Sequence, residues 1–232
     1  MKRVDVVFGH GALAKAIATA SATRNPTVLV SNGAPIEGPW LWRRAEVATG
    51  AGIRSALRDS THIVCVLEPA EAAHGLLLVA KAETGLQSAS LAIPSGTSPV
   101  QGLDPSWNLL ETGVPWGPGD PLYDRWEAAA ARGRPILVPN PGRIPSLPVG
   151  KAVAALQQLA ELKGQRWRLP GTSRSLMELA RAGWPNTRPL PIPTVCAPWL
   201  LGVPRALLLE RVARPMPSPW TPGLGIANSG HP

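Results

Sequence analysis

Apolar runs typical of strands alternate with helical patterns along the first hundred residues. The strand-like runs lie at 4–8, 27–31, 45–49, 62–67 and 89–94. Between them, apolar residues recur at helical intervals over 12–20, 50–60 and 71–83, and residues 33–44 are expected to form a loop. Strands alternating with helices are typical of a parallel sheet covered on both faces, so we predict an α/β fold with a Rossmann-like, doubly wound parallel sheet.

The alternation breaks down after residue 94. Residues 95–119 are rich in proline and glycine and leave no room for a full-length helix before a possible strand at 108–112. Further strands are predicted at 135–138 and 165–169, and further helices at 123–132, 148–163, 173–182 (capped by Thr172) and 198–213. We predict a dinucleotide-binding domain over 1–134, a small C-terminal substrate-binding lobe over 135–214, interleaved with the first domain, and a tail over 215–232.

Composition narrows the possible partners. The formal net charge is +8, but the basic residues are scattered and form no stripe with interleaved aromatic residues, so nucleic-acid binding is not expected. The two cysteines lie far apart and no metal-ligand spacing occurs, so no metal site is predicted. No signal peptide and no apolar run long enough to span a membrane is present, and we expect a cytoplasmic protein that does not bind membranes.

The turn after the first strand carries a G-x-G-x-x-A spacing formed by Gly9, Gly11 and Ala14. The first glycine permits a tight turn, the second lets a diphosphate approach the backbone, and the alanine lets the helix pack closely on the strand. Free N–H groups at the helix N-terminus then attract phosphate. The alternative is a tight turn without a ligand. The predicted nucleotide-binding residues here are Gly9, His10, Gly11, Ala12 and Leu13; His10 is a candidate phosphate ligand or base, or an exposed bystander.

The second strand ends at Ser31 and Asn32, which are also candidate cofactor-binding residues. NAD-binding members of this fold end that strand with a carboxylate that binds the ribose hydroxyls, and no such acid is present here. We therefore predict that NADP is preferred, with NAD possible. Arg24, Arg43 and Arg44 are candidates for contacting a 2′-phosphate, and the alternative is that they are solvated surface residues.

Two longer segments extend the pattern: WGPGDPLYDRW at 116–126 and ARGRPILVPNPG at 131–142. Together with the glycine turn they resemble the extended short-chain dehydrogenase/reductases, and the resemblance covers most of residues 3–183. It implies a Rossmann fold and the activity of an NAD(P)-dependent epimerase, dehydratase or reductase. In that family a tyrosine and a lysine four residues apart act as the acid/base pair, and the helix that carries them contributes to the dimer interface.

The chain departs from that family at the acid/base pair. Its one tyrosine, Tyr123, follows the GPGD segment, and Glu127 stands four residues further on. The helix expected to carry the pair is missing between the strands at 89–94 and 108–112, which leaves the oligomeric state open. Ser95 and Thr97 are candidate catalytic hydroxyls, and Glu68 is a candidate base. The alternative for Glu68 is a carboxylate favoured by a helix N-terminus.

These observations leave three functions open. The first, which we favour, is a divergent NAD(P)-dependent oxidoreductase or epimerase-like enzyme that acts on a small organic substrate without the tyrosine–lysine pair, with a role in secondary metabolism. The second is a cofactor-independent cyclase, isomerase or lyase that reuses the fold. The third is a non-catalytic NADP-sensing or scaffold protein. Nucleotide binding and nicotinamide reduction distinguish the three.

Overall fold

The computed structural model describes residues 3–9, 11–46, 49–66, 86–94, 103–140 and 142–202. The strands are β1 (Asp5–Gly9), β2 (Thr27–Ser31), β3 (Leu41–Arg44), β4 (His62–Val66), β5 (Ser88–Pro94), β6 (Asn108–Thr112), β7 (Val114–Trp116), β8 (Ile136–Asn140), β9 (Arg143–Pro148), β10 (Arg166–Leu169), β11 (Thr172–Ser175) and β12 (Pro189–Pro193). The helices are α1 (Gly11–Ala22), α2 (Ile53–Leu57), α3 (Pro121–Ala131), α4 (Val149–Leu159), α5 (Leu176–Gly183) and α6 (Ala197–Leu201).

Seven strands form one sheet in the order β10-β6-β5-β4-β1-β2-β3. Every neighbouring pair in this sheet is parallel. The central strands β1 and β2 are buried along their whole length, as expected for strands covered on both faces. The predicted Rossmann-like α/β fold is therefore confirmed.

Alternate residues of each central strand point to opposite faces of the sheet and pack into two separate cores. On one face, Val7, Leu29 and Leu110 pack against α1 and α4. On the other face, Phe8 and Leu91 pack with residues of α2 and with Trp107 from the segment before β6. This division places α1 directly against the sheet, so the glycine turn between β1 and α1 lies next to buried structure.

A third core belongs to a smaller lobe. Strands β7, β9 and β11 form a three-stranded sheet, and β8 pairs with β12. Helices α3, α5 and α6 cover these strands, and the indole of Trp126 lies at the centre of the core and donates a hydrogen bond to the carbonyl oxygen of Leu137 at 2.9 Å. The chain enters the lobe just beyond the carboxyl ends of two strands of the main sheet, since β7 begins two residues after β6 ends and β11 begins three residues after β10 ends.

The third strand lies earlier than predicted. It occupies 41–44 rather than 45–49, within a segment expected to be a loop. The reason is tertiary: this stretch pairs in parallel with β2, and the indole of Trp42 donates a hydrogen bond to the Ser31 hydroxyl at 3.0 Å. Because β3 lies at the edge of the sheet, its residues are exposed or only half-buried and need not be apolar. It therefore does not form an apolar run in the sequence.

The small lobe contains strands that the apolar pattern did not indicate. Residues 143–148 and 172–175 form an antiparallel pair, although 173–175 were expected to be helical. Ser175, not Thr172, caps α5: its hydroxyl accepts from the amide of Glu178, whose carboxylate accepts from the amide of Ser175. The predicted helix at 71–83 lies outside the described residues, as does the part of the predicted helix at 198–213 beyond residue 202.

A fully buried asparagine joins the first residue of β6 to the end of α4 and the start of β10. The Asn108 side-chain amide donates to the carbonyl oxygens of Leu159 and Leu162 at 2.7 and 2.9 Å, and its oxygen accepts from the amide of Gln165 at 3.0 Å. These bonds contact backbone groups at the end of α4, in the segment that follows it and just before β10, so one buried side chain ties together the crossover between two neighbouring strands.

We predict that Asn108→Leu lowers the free energy of unfolding by about 2–3 kcal/mol, because each buried polar group left without a partner costs about 1–3 kcal/mol. Urea unfolding followed by circular dichroism measures the change. Asn186→Ala, at an exposed asparagine, is the matched control and should shift the unfolding free energy by less than about 0.5 kcal/mol. Equal stability of the two variants would contradict the assigned role of Asn108.

Candidate functional site

The candidate site begins where β1 meets β4. Gly9 ends β1 in register with Val66, the last residue of β4, and has a φ of 136°. A Cβ atom at residue 9 would lie 2.3 Å from the carbonyl oxygen of Val66. Only glycine fits such a close approach, so the tight turn predicted from the sequence is present.

The second glycine of the motif, unlike the first, is not closely packed against another strand. Gly11 begins α1 with a φ of 81°, and apart from its chain neighbours and the backbone of α1, no described atom lies within 4 Å of the position that a Cβ would take. The Ala12 and Leu13 side chains are buried beneath the turn, so this end of the helix presents backbone rather than side chains. No acidic residue lies in the first turn of α1. The open space and the unneutralised N–H groups fit a diphosphate.

The GPGD loop forms one wall of this space, a contact that the sequence did not reveal. A Cβ at Gly119 would lie 3.2 Å from the Cα of Ala12 and 3.8 Å from the Cδ of Lys15. The amide of Gly119 donates to the Asp124 carboxylate at 2.8 Å, which fixes the loop to the first turn of α3. Asp120 is buried and caps α3 by accepting from the amides of Leu122 and Tyr123. Its role in the described structure is therefore to position the loop.

The end of β2 lies beside the first turn of α1. Ser31 is buried, and its hydroxyl accepts the hydrogen bond from Trp42, whereas Asn32 is exposed. Arg44 is the register partner of Ser31 and is exposed. Arg43 instead donates to the carbonyl oxygen of Ser55 at 2.8 Å and so holds β3 against α2. Of these two arginines, Arg44 is the one available to a ligand at the end of β2.

Four sequence-predicted site residues lie outside the described residues: His10, Glu68, Ser95 and Thr97. Their roles stay predictions. The strands that precede three of them are described: β4 ends at Val66, two residues before Glu68, and β5 ends at Pro94, directly before Ser95.

One charged pair lies close to this end of the sheet. Glu111 of β6 is the register partner of both Ile93 of β5 and Arg168 of β10. The carboxylate oxygen of Glu111 lies 3.3 Å from the Nε atom of Arg168, and both side chains are partly exposed. The pair joins two side chains from distant parts of the sequence, and only the sheet order reveals it.

Tyr123 lies in the first turn of α3, within the small lobe. Its ring centroid is 5.7 Å from that of Trp116 and 5.0 Å from that of Trp184. Burial raises the pKa of its hydroxyl, and the nearby carboxylates of Glu127 and Asp124 raise this pKa further. A neighbouring lysine lowers the pKa of a tyrosine, whereas these carboxylates raise it. Tyr123 is therefore not suited to act as a phenolate base.

The described residues contain no group of three or more side chains suited to bind a metal ion. None of the described helices is long and apolar enough to cross a membrane.

No family model and no curated protein matches the sequence. Solved structures do match the fold. A UDP-N-acetylglucosamine 4-epimerase from Methanobrevibacter ruminantium M1, in complex with UDP-N-acetylmuramic acid, is similar with a TM-score of 0.61 at 13% identity over 83% of this chain and 85% of that one. The Bordetella bronchiseptica enzyme WbmH in complex with NAD+ has a TM-score of 0.54 at 13% identity over 92% and 97% of the two chains.

An NADPH-dependent quinone oxidoreductase from Escherichia coli is also similar, with a TM-score of 0.56 at 15% identity over 90% of this chain and 86% of that one. At these identities the likeness concerns the fold. It covers most of each chain.

We predict that Gly9→Ala lowers the free energy of unfolding by at least about 2 kcal/mol, because the added methyl meets a backbone carbonyl and the φ angle is strained. Gly33→Ala is the matched control, since a Cβ there meets nothing within 4 Å. Thermal unfolding by calorimetry compares the two. If both variants unfold at the wild-type temperature, the close packing of Gly9 on β4 is contradicted.

Proposed function

We propose that the protein is an NAD(P)-dependent oxidoreductase or epimerase-like enzyme that acts on a small organic substrate. The observation that carries the proposal is that, among the described residues, no side chain fills the space beside Gly11 at a helix N-terminus that has no acidic residue in its first turn. Backbone N–H groups facing empty space bind phosphate oxygens. The likeness to solved enzymes that bind NAD+ or depend on NADPH supports the choice of a nicotinamide dinucleotide.

We propose NADP as the preferred cofactor. Asn32 follows β2 without a carboxylate that would bind the ribose hydroxyls and repel a 2′-phosphate. Arg44 lies beside Ser31, and its guanidinium group makes no hydrogen bond with the described part of the chain. A guanidinium group at this place can pair with a phosphate through two parallel hydrogen bonds.

The nicotinamide ring supplies hydride transfer when it is bound. The chain must then hold the substrate and move a proton. We propose Ser95, Thr97 and Glu68 for this work, because each follows the carboxyl end of β4 or β5, where open parallel sheets bind their ligands. General acid/base catalysis contributes about 10²- to 10⁴-fold to a rate, so loss of the tyrosine–lysine pair without replacement would leave a slow enzyme.

A non-catalytic NADP-binding protein is the second candidate function. It is favoured by the position of Tyr123, whose ring is held by Trp116 and Trp184 in the small lobe and whose neighbour at +4 is Glu127. A protein of this kind would bind the dinucleotide with the same residues. It would show no turnover of nicotinamide with any substrate.

We predict that Gly11→Asp weakens NADPH binding by at least about fivefold and up to several hundredfold. Two like charges about 4 Å apart repel by about 1–4 kcal/mol at effective dielectric constants between 80 and 20. Isothermal titration calorimetry measures the dissociation constant. Gly11→Ala is the control for backbone strain, because it shares the positive φ angle but adds no charge.

The proposal requires that the aspartate variant binds NADPH more weakly than the alanine variant. If the wild-type protein binds neither NADPH nor NADH, the proposal that a nucleotide binds at α1 is wrong. If the aspartate and alanine variants bind equally well, the diphosphate does not approach residue 11.

We predict that Arg44→Ala weakens NADPH binding about tenfold and changes NADH binding by less than about twofold. The lost contact is a charge-assisted bond to the 2′-phosphate, which NADH lacks, and such bonds contribute about 1.5–3 kcal/mol. Arg54→Ala, at an exposed arginine of α2, is the charge-matched control. If Arg44→Ala weakened the affinities for NADPH and NADH equally, a contact between Arg44 and the 2′-phosphate would be contradicted.

A further inference from the structure

A groove on the small lobe lies between α3 and α6. It has a volume of about 230 Å³ and is lined by three arginines, Arg125, Arg132 and Arg134, and by apolar side chains that include Trp126, Leu137 and Leu201. These residues come from α3, the segment that follows it, β8 and α6. The groove is built by the small lobe alone, so an inference about it does not depend on the proposed nucleotide site.

The three arginines give the groove its charge. Arg125 lies on α3, Arg132 is the residue that caps its C-terminal end, seven positions further on, and Arg134 follows two residues later. None of the three guanidinium groups makes a hydrogen bond or an ion pair with the residues that the structure describes. The acidic residues of α3, Asp124 and Glu127, are not among the groove-lining residues. They lie near Tyr123 instead, where they raise its pKa.

Exposed apolar side chains lie on α6, which contributes Leu200 and Leu201 to the groove, and just before it. Trp199 is 90% exposed and Leu200 is 56% exposed, both on α6, and Val195, just before that helix, is 75% exposed. Apolar residues grouped in this way mark interaction surfaces rather than random surface positions. Tryptophan and arginine are also the residues most enriched where protein partners bind tightly.

Charge decides which occupant fits. Residues 203–232, which follow α6 in the sequence, contain one acidic residue, Glu210, against three arginines, Arg205, Arg211 and Arg214. A second copy of the chain carries a net charge of +8. Both occupants would place positive charge against positive charge. A volume of about 230 Å³ is also below the range of about 300–1,000 Å³ typical of small-molecule pockets.

We propose that this groove binds an acidic segment of a partner protein. Carboxylates of the segment pair with Arg125, Arg132 and Arg134, and one apolar side chain enters the space above Trp126 and Leu201. The exposed Trp199 and its apolar neighbours cover the rest of the segment. Guanidinium groups suit this role because they bind carboxylates through two parallel hydrogen bonds.

The test uses the full chain and a fluorescein-labelled random copolymer of glutamate and tyrosine, which carries both carboxylates and apolar rings. Polyglutamate serves as the probe with charge alone. Fluorescence anisotropy at physiological ionic strength measures both affinities. The triple variant Arg125→Gln/Arg132→Gln/Arg134→Gln removes the charge of the groove. The control, Arg24→Gln/Arg54→Gln/Arg58→Gln, removes the same charge from exposed arginines elsewhere.

The groove variant should weaken copolymer binding by at least about tenfold, since three partly exposed ion pairs are lost, and the control variant by less than about threefold. Trp199→Ser should lower copolymer affinity but leave polyglutamate affinity unchanged. Equal weakening by the two triple variants would show that net charge alone attracts the probe and would overturn the proposal. Absence of copolymer binding to the wild-type protein, or displacement by NADPH in direct competition, would overturn it as well.

Discussion

The close approach of β1 to β4 is the constraint on which the site depends. Parallel pairing brings Gly9 so near to the carbonyl oxygen of Val66 that no side chain fits, and the chain must turn there. The turn directs the first residues of α1 over the end of the sheet. The helix then remains in place because its buried face packs on Val7, Leu29 and α4. The position of the first turn of α1 therefore follows from strand pairing and helix packing, and the phosphate contact that we propose there needs only backbone N–H groups.

Local patterns made the central parts of this fold predictable. The apolar runs that became β1, β2 and β4 are strands inside a parallel sheet, and such strands are recognisable from sequence because they are mostly apolar on both faces. The glycine turn was recognisable because two glycines with fixed spacing separate a strand from a helix. The Gly9 and Gly11 φ angles of 136° and 81° explain why glycine stands at both positions.

Features that depend on contacts distant in sequence were not predictable. The edge strand β3 is set by pairing with β2 and by the bond from Trp42 to Ser31, which a periodicity search does not detect. The contact of Gly119 with Ala12 joins residues more than a hundred positions apart. In each case the partner residue, rather than the residue itself, determines the role.

The central claim is that free amides at the start of α1 hold the diphosphate of a nicotinamide dinucleotide. The first four N–H groups of a helix have no partner within it, so their exchange with solvent reports directly on a ligand at that end. Hydrogen–deuterium exchange with mass spectrometry, with and without NADPH, measures this. The account predicts slower exchange over residues 11–14 on addition of NADPH. Unchanged exchange over these residues at saturating NADPH would contradict it.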